Sequence, residues 1–251
     1  MTTRLKRRKP VIVGEVSHSD SNIIRLSRTA RVEVAPEALA RQGIITPANG
    51  GGTAIHSAYN ALRSQVAEFA ARRKLGCLLI TSPTAGAGTT VTSINLALQI
   101  ARHMNRTALL LDFNLRRPAI HHYFGYTPKY GIAECIRREV AFERILFSPL
   151  DRLTVAPALR AESNATDLLL SPEVSTLLKE VASRYQERLV ILDTPPVLEW
   201  DDAVTLLPEV DATLLVVKAG SSQASEVRRA MGCLRNTPSV GIVLNGAGKW
   251  R

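Results

Sequence analysis

Six short runs of consecutive aliphatic residues, each set apart from the next by segments of helical period, constrain this chain more than any other feature. The runs are Cys77–Thr81, Thr107–Asp112, Leu153–Ala156, Leu189–Asp193, Ala212–Lys218 and Val240–Asn245. A strand with one wet face alternates apolar and polar side chains. These runs do not alternate, so both faces must be covered, and a parallel sheet between helix layers covers them. The segments between them supply the helices. Ala54–Lys74 spaces Ile55, Ala58, Leu62, Val66 and Phe69 by three or four, and Thr90–His103 sets Val91, Ile94, Leu98 and Ala101 on one stripe. Ser171 and Pro172 form an N-cap and first-turn pair ahead of Val174, Leu177, Leu178, Val181 and Tyr185, and Ser222–Arg235 is amphipathic. The expectation is an α/β domain, a doubly wound, mostly parallel sheet flanked by helices. Such sheets bind ligands beyond the carboxyl ends of their strands.

This alternation begins near residue 53. Residues 1–52 mix basic, serine, asparagine and scattered aliphatic side chains without a sustained period. They close on Pro47-Ala48-Asn49-Gly50-Gly51-Gly52, so they read as a basic, flexible tail ahead of a domain at 53–251. The net charge of +10 comes from 32 Lys and Arg against 22 Asp and Glu, and the first 32 residues alone hold eight basic and two acidic side chains. The domain is therefore only mildly basic, which argues against a nucleic-acid partner. The run Arg4–Lys9 suits contact with anionic lipid or simple solvation. Only Val11–Val13 follow it, too little for a secretory h-region, and no apolar stretch reaches the roughly 18 residues of a membrane span. Cys77, Cys135 and Cys233 are odd in number, far apart and without CxxC spacing, which fits a reducing, cytoplasmic setting.

The strand ends carry the chemistry. The first run closes on Thr81-Ser82-Pro83-Thr84-Ala85-Gly86-Ala87-Gly88-Thr89-Thr90 and passes straight into a helix. Small residues let backbone N–H groups converge on an anion, and the helix start adds partial positive charge, the geometry of a phosphate loop. The generic pattern ends in Gly-Lys-Ser/Thr. Gly88-Thr89-Thr90 keeps the glycine and the hydroxyl but not the lysine, and a glycine-rich turn without a ligand would read the same way. Asp112 and Asp193 each close a buried run, where a carboxylate needs a cation or donors. Capping or a turn explains either one alone. Together, beside a phosphate loop, they point to Mg²⁺ held directly or through water. Arg116 and Arg117 suit a phosphate, a partner surface or a solvated turn. His121 and His122 have no ligand constellation around them and read as surface residues.

Taken in order, these segments resemble the cytoplasmic tyrosine autokinase domains of bacterial exopolysaccharide and capsule systems, a deviant branch of the P-loop NTPases related to ParA and MinD. The segments are Ser82–Val91, Asp112-Phe113-Asn114-Leu115-Arg116 with Arg117-Pro118, Asn164–Leu169, Asp193-Thr194-Pro195-Pro196 with Asp202-Ala203, and Val240–Asn245. The resemblance covers roughly residues 54–247. It implies ATP or ADP with Mg²⁺. The nucleotide would meet Gly86, Ala87, Gly88, Thr89, Thr90, Val91 and Asn245. The metal would meet Thr90, Asp112 and Asp193, and catalytic work would fall to Asp112, Asn114 and Asp193. A separate membrane co-polymerase subunit is the implied partner, at the inner face of the plasma membrane. The membrane itself would be met only peripherally, through that partner or the basic tail.

The departures bear on function. Thr89 stands where the family has its phosphate-loop lysine, and Thr84 where the ParA and MinD branch has another. Losing one such charge costs about 3–4 kcal/mol of transition-state stabilisation, by comparison with removing one preorganised donor. Asn114 replaces the second acid of the Asp-x-Asp segment, and an amide accepts no proton at neutral pH. Ala87 replaces the usual glutamate. No tyrosine follows Tyr185, although the family carries a C-terminal tyrosine cluster as its substrate. The family's Glu-x-x-Arg-x-x-Arg assembly segment reads Ser57-Ala58-Tyr59-Asn60-Ala61-Leu62-Arg63, which leaves the oligomeric state open. The favoured expectation is a weakened or silent regulatory subunit. The alternatives are an active tyrosine kinase or ATPase in which Arg116 supplies the missing charge, and a ParA- or MinD-like positioning ATPase.

Overall fold

The computed structural model describes residues 29–46, 53–73, 75–103, 107–183 and 188–247. The chain enters through β1 (Ala30–Arg31), α1 (Pro36–Arg41) and α2 (Ala54–Arg73). The core alternation follows as β2 (Cys77–Thr81), α3 (Thr89–His103) and β3 (Thr107–Asp112). Two short helices, α4 (Ile120–Tyr123) and α5 (Ile132–Ile136), lead to a hairpin of β4 (Phe147–Leu150) and β5 (Leu153–Ala156). Next come α6 (Ala165–Leu169), α7 (Pro172–Ser183), β6 (Arg188–Asp193) and α8 (Asp202–Thr205). The chain closes with β7 (Ala212–Lys218), α9 (Ala224–Cys233) and β8 (Val240–Asn245).

The eight strands form one sheet in the order β1-β4-β5-β3-β6-β2-β7-β8, with only β4 and β5 antiparallel. Five of the six apolar runs are buried on both faces, but Val240–Asn245 is not: β8 lies at the edge of the sheet and leaves Ile242 and Leu244 exposed. Cys77 and Leu79 join Leu109, Leu111, Val190 and Leu192 beneath α5, α7 and α9, whereas Leu78 and Ile80 join Leu110, Leu189 and Ile191 beneath α2 and α3. Successive side chains on a strand point to opposite faces, so each layer of helices receives alternate residues of the same run. Each buried aliphatic side chain contributes about 1.5–3 kcal/mol, and the four central strands β3, β6, β2 and β7 each supply residues to both layers of this core.

Two further features depart from the sequence expectation. Phe147-Ser148-Pro149-Leu150 forms a strand that the sequence pattern does not announce, because four residues containing a serine and a proline show no period. Within the tail expected at 1–52, residues 29–46 are built into the domain. β1 lies parallel to β4, and Leu39, Ile44 and Ile45 are buried. Asn95 on α3, itself buried, explains the docking. Its Oδ1 accepts the Ile45 N–H at 2.8 Å, and its Nδ2 donates to Gly43 O at 3.0 Å. Arg102 adds a hydrogen bond to Ile45 O at 3.0 Å. The basic run Arg4–Lys9 and the joint at 47–52 lie outside the described residues. No helix among the described residues is long and apolar enough to cross a membrane.

Candidate functional site

The neighbouring strands β2, β6 and β3 bring Thr81, Asp193 and Asp112 to one end of the sheet. Asp112 and Asp193 are direct register partners. From Thr81 the chain makes the loop 82–88 and starts α3 at Thr89. Gly86 and Gly88 have φ of 78° and 88°, the left-handed region that L side chains avoid. Gly88 is constrained a second way, since a Cβ there would stand 2.2 Å from Asn245 Nδ2. That amide donates to Ala87 O at 2.8 Å. Asn245, at the end of β8, thus braces the loop from behind, and Ala87 is buried against it. In front of the loop lies a cleft of about 230 Å³, lined by Gly86, Gly88, Thr89, Thr90, Val91 and Asn114 among others.

The two aspartates differ in their surroundings. Asp193 accepts hydrogen bonds from Thr90 Oγ1 at 2.7 Å and Ser93 Oγ at 2.8 Å. Burial pushes its carboxyl up to about 6, and the two hydroxyls pull it back towards the ionised form. Asp112 is fully buried and takes the N–H groups of Asn114, Ala119 and Ile120 at 3.2–3.3 Å. Burial first, and the charge of Asp193 second, raise it well above the usual carboxylate range. Its oxygens organise the turn that follows β3. The Thr90 hydroxyl and the Asp193 carboxylate are hard oxygens at the helix start and suit Mg²⁺, which keeps several waters and leans on one or two carboxylates plus phosphate. Among the described residues no group of three or more His, Cys, Asp or Glu is placed to hold a metal.

The basic residues sort differently from the sequence expectation. Arg116 does not face the loop as a free charge. Its guanidinium forks onto Asp202 at 3.0 and 3.1 Å and also reaches Thr166 Oγ1 at 2.7 Å and Ser163 O at 3.2 Å. Asp202 is completely buried, and removing the partner of a buried carboxylate is costly. Arg116 is therefore committed to the scaffold. Arg116 and the exposed Arg117 both line the cleft, but among the described residues Arg116 is paired with Asp202 whereas no carboxylate pairs with Arg117. Asn114 lines the cleft too, with its Oδ1 accepting the Arg117 N–H at 3.1 Å. His121, expected at the surface, is only 5% exposed, and burial lowers its pKa to about 4.

Three cleft residues escape the sequence reading: Tyr123, Glu199 and Trp200. Glu199 Oε1 accepts the Ala85 N–H of the loop at 2.6 Å, and the Trp200 ring covers the Arg116 guanidinium at 4.3 Å. Both lie within four residues after Asp193-Thr194-Pro195-Pro196. Their nearness to that motif was a signal, but nothing local says that their side chains turn back to a loop more than 100 residues earlier.

No protein-family model matches the chain. Over 194 residues it is 28% identical to the tyrosine-protein kinase YwqD of Bacillus subtilis, an alignment that covers 75% of this chain and 79% of that protein. The solved kinase domain of the Escherichia coli tyrosine kinase ETK superposes with a TM-score of 0.75 at 25% identity, covering 86% of this chain and 94% of that domain. At the level of fold alone, a Mycobacterium smegmatis cobyrinic acid a,c-diamide synthase solved with an ATP analogue and magnesium also matches. Its TM-score is 0.52 at 16% identity, over 66% of this chain and 71% of that one.

Proposed function

Since the chain is a homologue of the bacterial tyrosine-protein kinases on a P-loop NTPase-like fold, we propose that it is a nucleotide-binding subunit of an exopolysaccharide synthesis and export system, with weak or no phosphoryl transfer. One observation carries this reading: Thr89 holds the lysine position of a loop whose backbone suits phosphate. Arg116 does not make good the missing charge, because Asp202 holds it. The N–H groups of Gly86–Thr90 would cradle the phosphates of ATP or ADP, and Thr90 and Asp193 would hold Mg²⁺. A metal held there would supply positive charge to offset that of the phosphates. Without the ammonium, the charge moved in transfer is left partly uncompensated, which lowers the rate roughly 10²–10³-fold. Asn114 accepts no proton from an attacking hydroxyl. The protein would then act by docking, in a nucleotide-dependent way, on a separate membrane co-polymerase subunit at the inner face of the plasma membrane.

Calorimetric titration with ATP and ADP in Mg²⁺ is expected to show binding. ATP turnover is expected to be at least 100-fold slower in the natural protein than in the double variant Thr89→Lys, Asn114→Asp, by the same comparison. Turnover by the natural protein at about 1–100 s⁻¹, the ordinary kinase range, would sink the reading. The position of Arg117 in the cleft favours a second one, an active ATPase or tyrosine kinase whose missing charge comes from that side chain. In that case Arg117→Ala abolishes turnover that the natural protein possesses.

A further inference from the structure

Glu199 brings a negative charge to the phosphate loop itself. Its carboxylate takes the Ala85 N–H at 2.6 Å. The segment that carries it is laced to the same loop. Val197 N–H donates to Ser82 O at 2.9 Å and Leu198 N–H to Pro83 O at 3.2 Å. The N–H groups of Glu199 and Trp200 both turn back onto Pro196 O at 3.1 Å, and Trp200 rests on the clamped Arg116. The carboxylate therefore sits in a braced frame at the lip of the cleft, on an amide of the loop that would receive phosphate oxygens.

A carboxylate is an oxyanion, and on Ala85 it fills the donor that adjoins the Gly86–Thr90 amides, so that a phosphate bound there cannot gain it. It also adds a negative charge to a cleft from which Thr89 has already withheld a positive one. Both effects fall hardest on the more highly charged ligand. Bound to magnesium, a nucleoside triphosphate keeps one more negative charge than a diphosphate. We propose that Glu199 is a specificity-determining residue that biases this loop towards a nucleoside diphosphate and against the triphosphate. The inference rests on the nucleotide-binding reading above.

Isothermal titration with ADP and with ATP, in excess Mg²⁺, separates the cases for the natural protein, Glu199→Gln and Glu199→Ala. Glutamine keeps an acceptor for the Ala85 N–H and removes the charge, whereas alanine removes both. The natural protein is expected to hold ADP more tightly than ATP. In both variants ATP affinity should rise about tenfold and ADP affinity about twofold, the size of one like charge removed at a partly solvated site. An unmoved ATP-to-ADP ratio overturns the inference and leaves nucleotide binding intact. So does weaker ATP binding by Glu199→Gln, which marks the carboxylate as a group that helps to hold ligand or metal. If none of the three proteins binds either nucleotide, both readings fall. The contact has its own readout in the nucleotide-free protein: the Ala85 amide resonance should shift in Glu199→Ala, and an unshifted resonance overturns the proposal at its base.

Discussion

Asp193 and Asp112 end adjacent strands as register partners, so two buried carboxylates face one small region. Burial raises Asp193 from 3.8 to about 6, which means that ionising it costs the fold free energy. The penalty is fully present above pH 6 and gone below the unfolded value. Asp193→Asn is therefore expected to stabilise the nucleotide-free protein by about 2–3 kcal/mol at pH 7.5. The gain should vanish near pH 4, as urea unfolding at the two pH values will show. His121 runs the other way. Burial lowers it from 6.5 to about 4, so the stability that it supports is present above pH 6.5 and is lost as the pH falls towards 4. His121→Leu should flatten the acid limb of the stability curve between those values, measured in the same titration. Asp112, Asp193, Thr89 and Thr90 were legible as candidates because they sit where strands and helices change over. What each oxygen accepts was not legible, since the amides of Asn114, Ala119 and Ile120 reach Asp112 only after the turn has folded.

At the scale of elements, the phosphate loop and β8 depend on one another. Gly88 lies in the left-handed region and leaves no space for a Cβ beside Asn245. Gly88→Ala is expected to destabilise the protein by about 2 kcal/mol or more and to weaken nucleotide binding at least tenfold, as read by thermal unfolding and calorimetry. Adding Asn245→Ala removes the steric part but not the backbone strain, so the double variant should recover only part of the stability. Asn95 plays a similar role for the entering segment. Asn95→Ala leaves Gly43 O and the Ile45 N–H without their partner and should cost about 2–3 kcal/mol of unfolding free energy, measured by urea titration. The helices and strands around these contacts were readable from period alone. The short strands β1 and β4 were not: the two residues of β1 carry no period and pair with a strand far along the chain, and β4 is interrupted by Ser148 and Pro149.

For the molecule as a whole, the entering segment is part of the body it was expected only to precede. Leu39, Ile44 and Ile45 are buried, and β1 extends the sheet beyond β4. A chain lacking residues 1–46 is expected to lose about 5 kcal/mol of stability, the burial of three aliphatic side chains. Thermal unfolding of the truncated chain beside the full one tests this. By itself the sequence determined the class of fold, the boundaries of the long elements and the place of the loop. Those depend on spacings of two, three or four residues and on what stands at a strand end. Only the tertiary structure decided which charges are available. It commits Arg116 to Asp202, leaves Arg117 in the cleft and sets Glu199 on Ala85. Such contacts join residues some 86 to 114 positions apart. They depend on the order of the strands in the sheet, which no local pattern encodes.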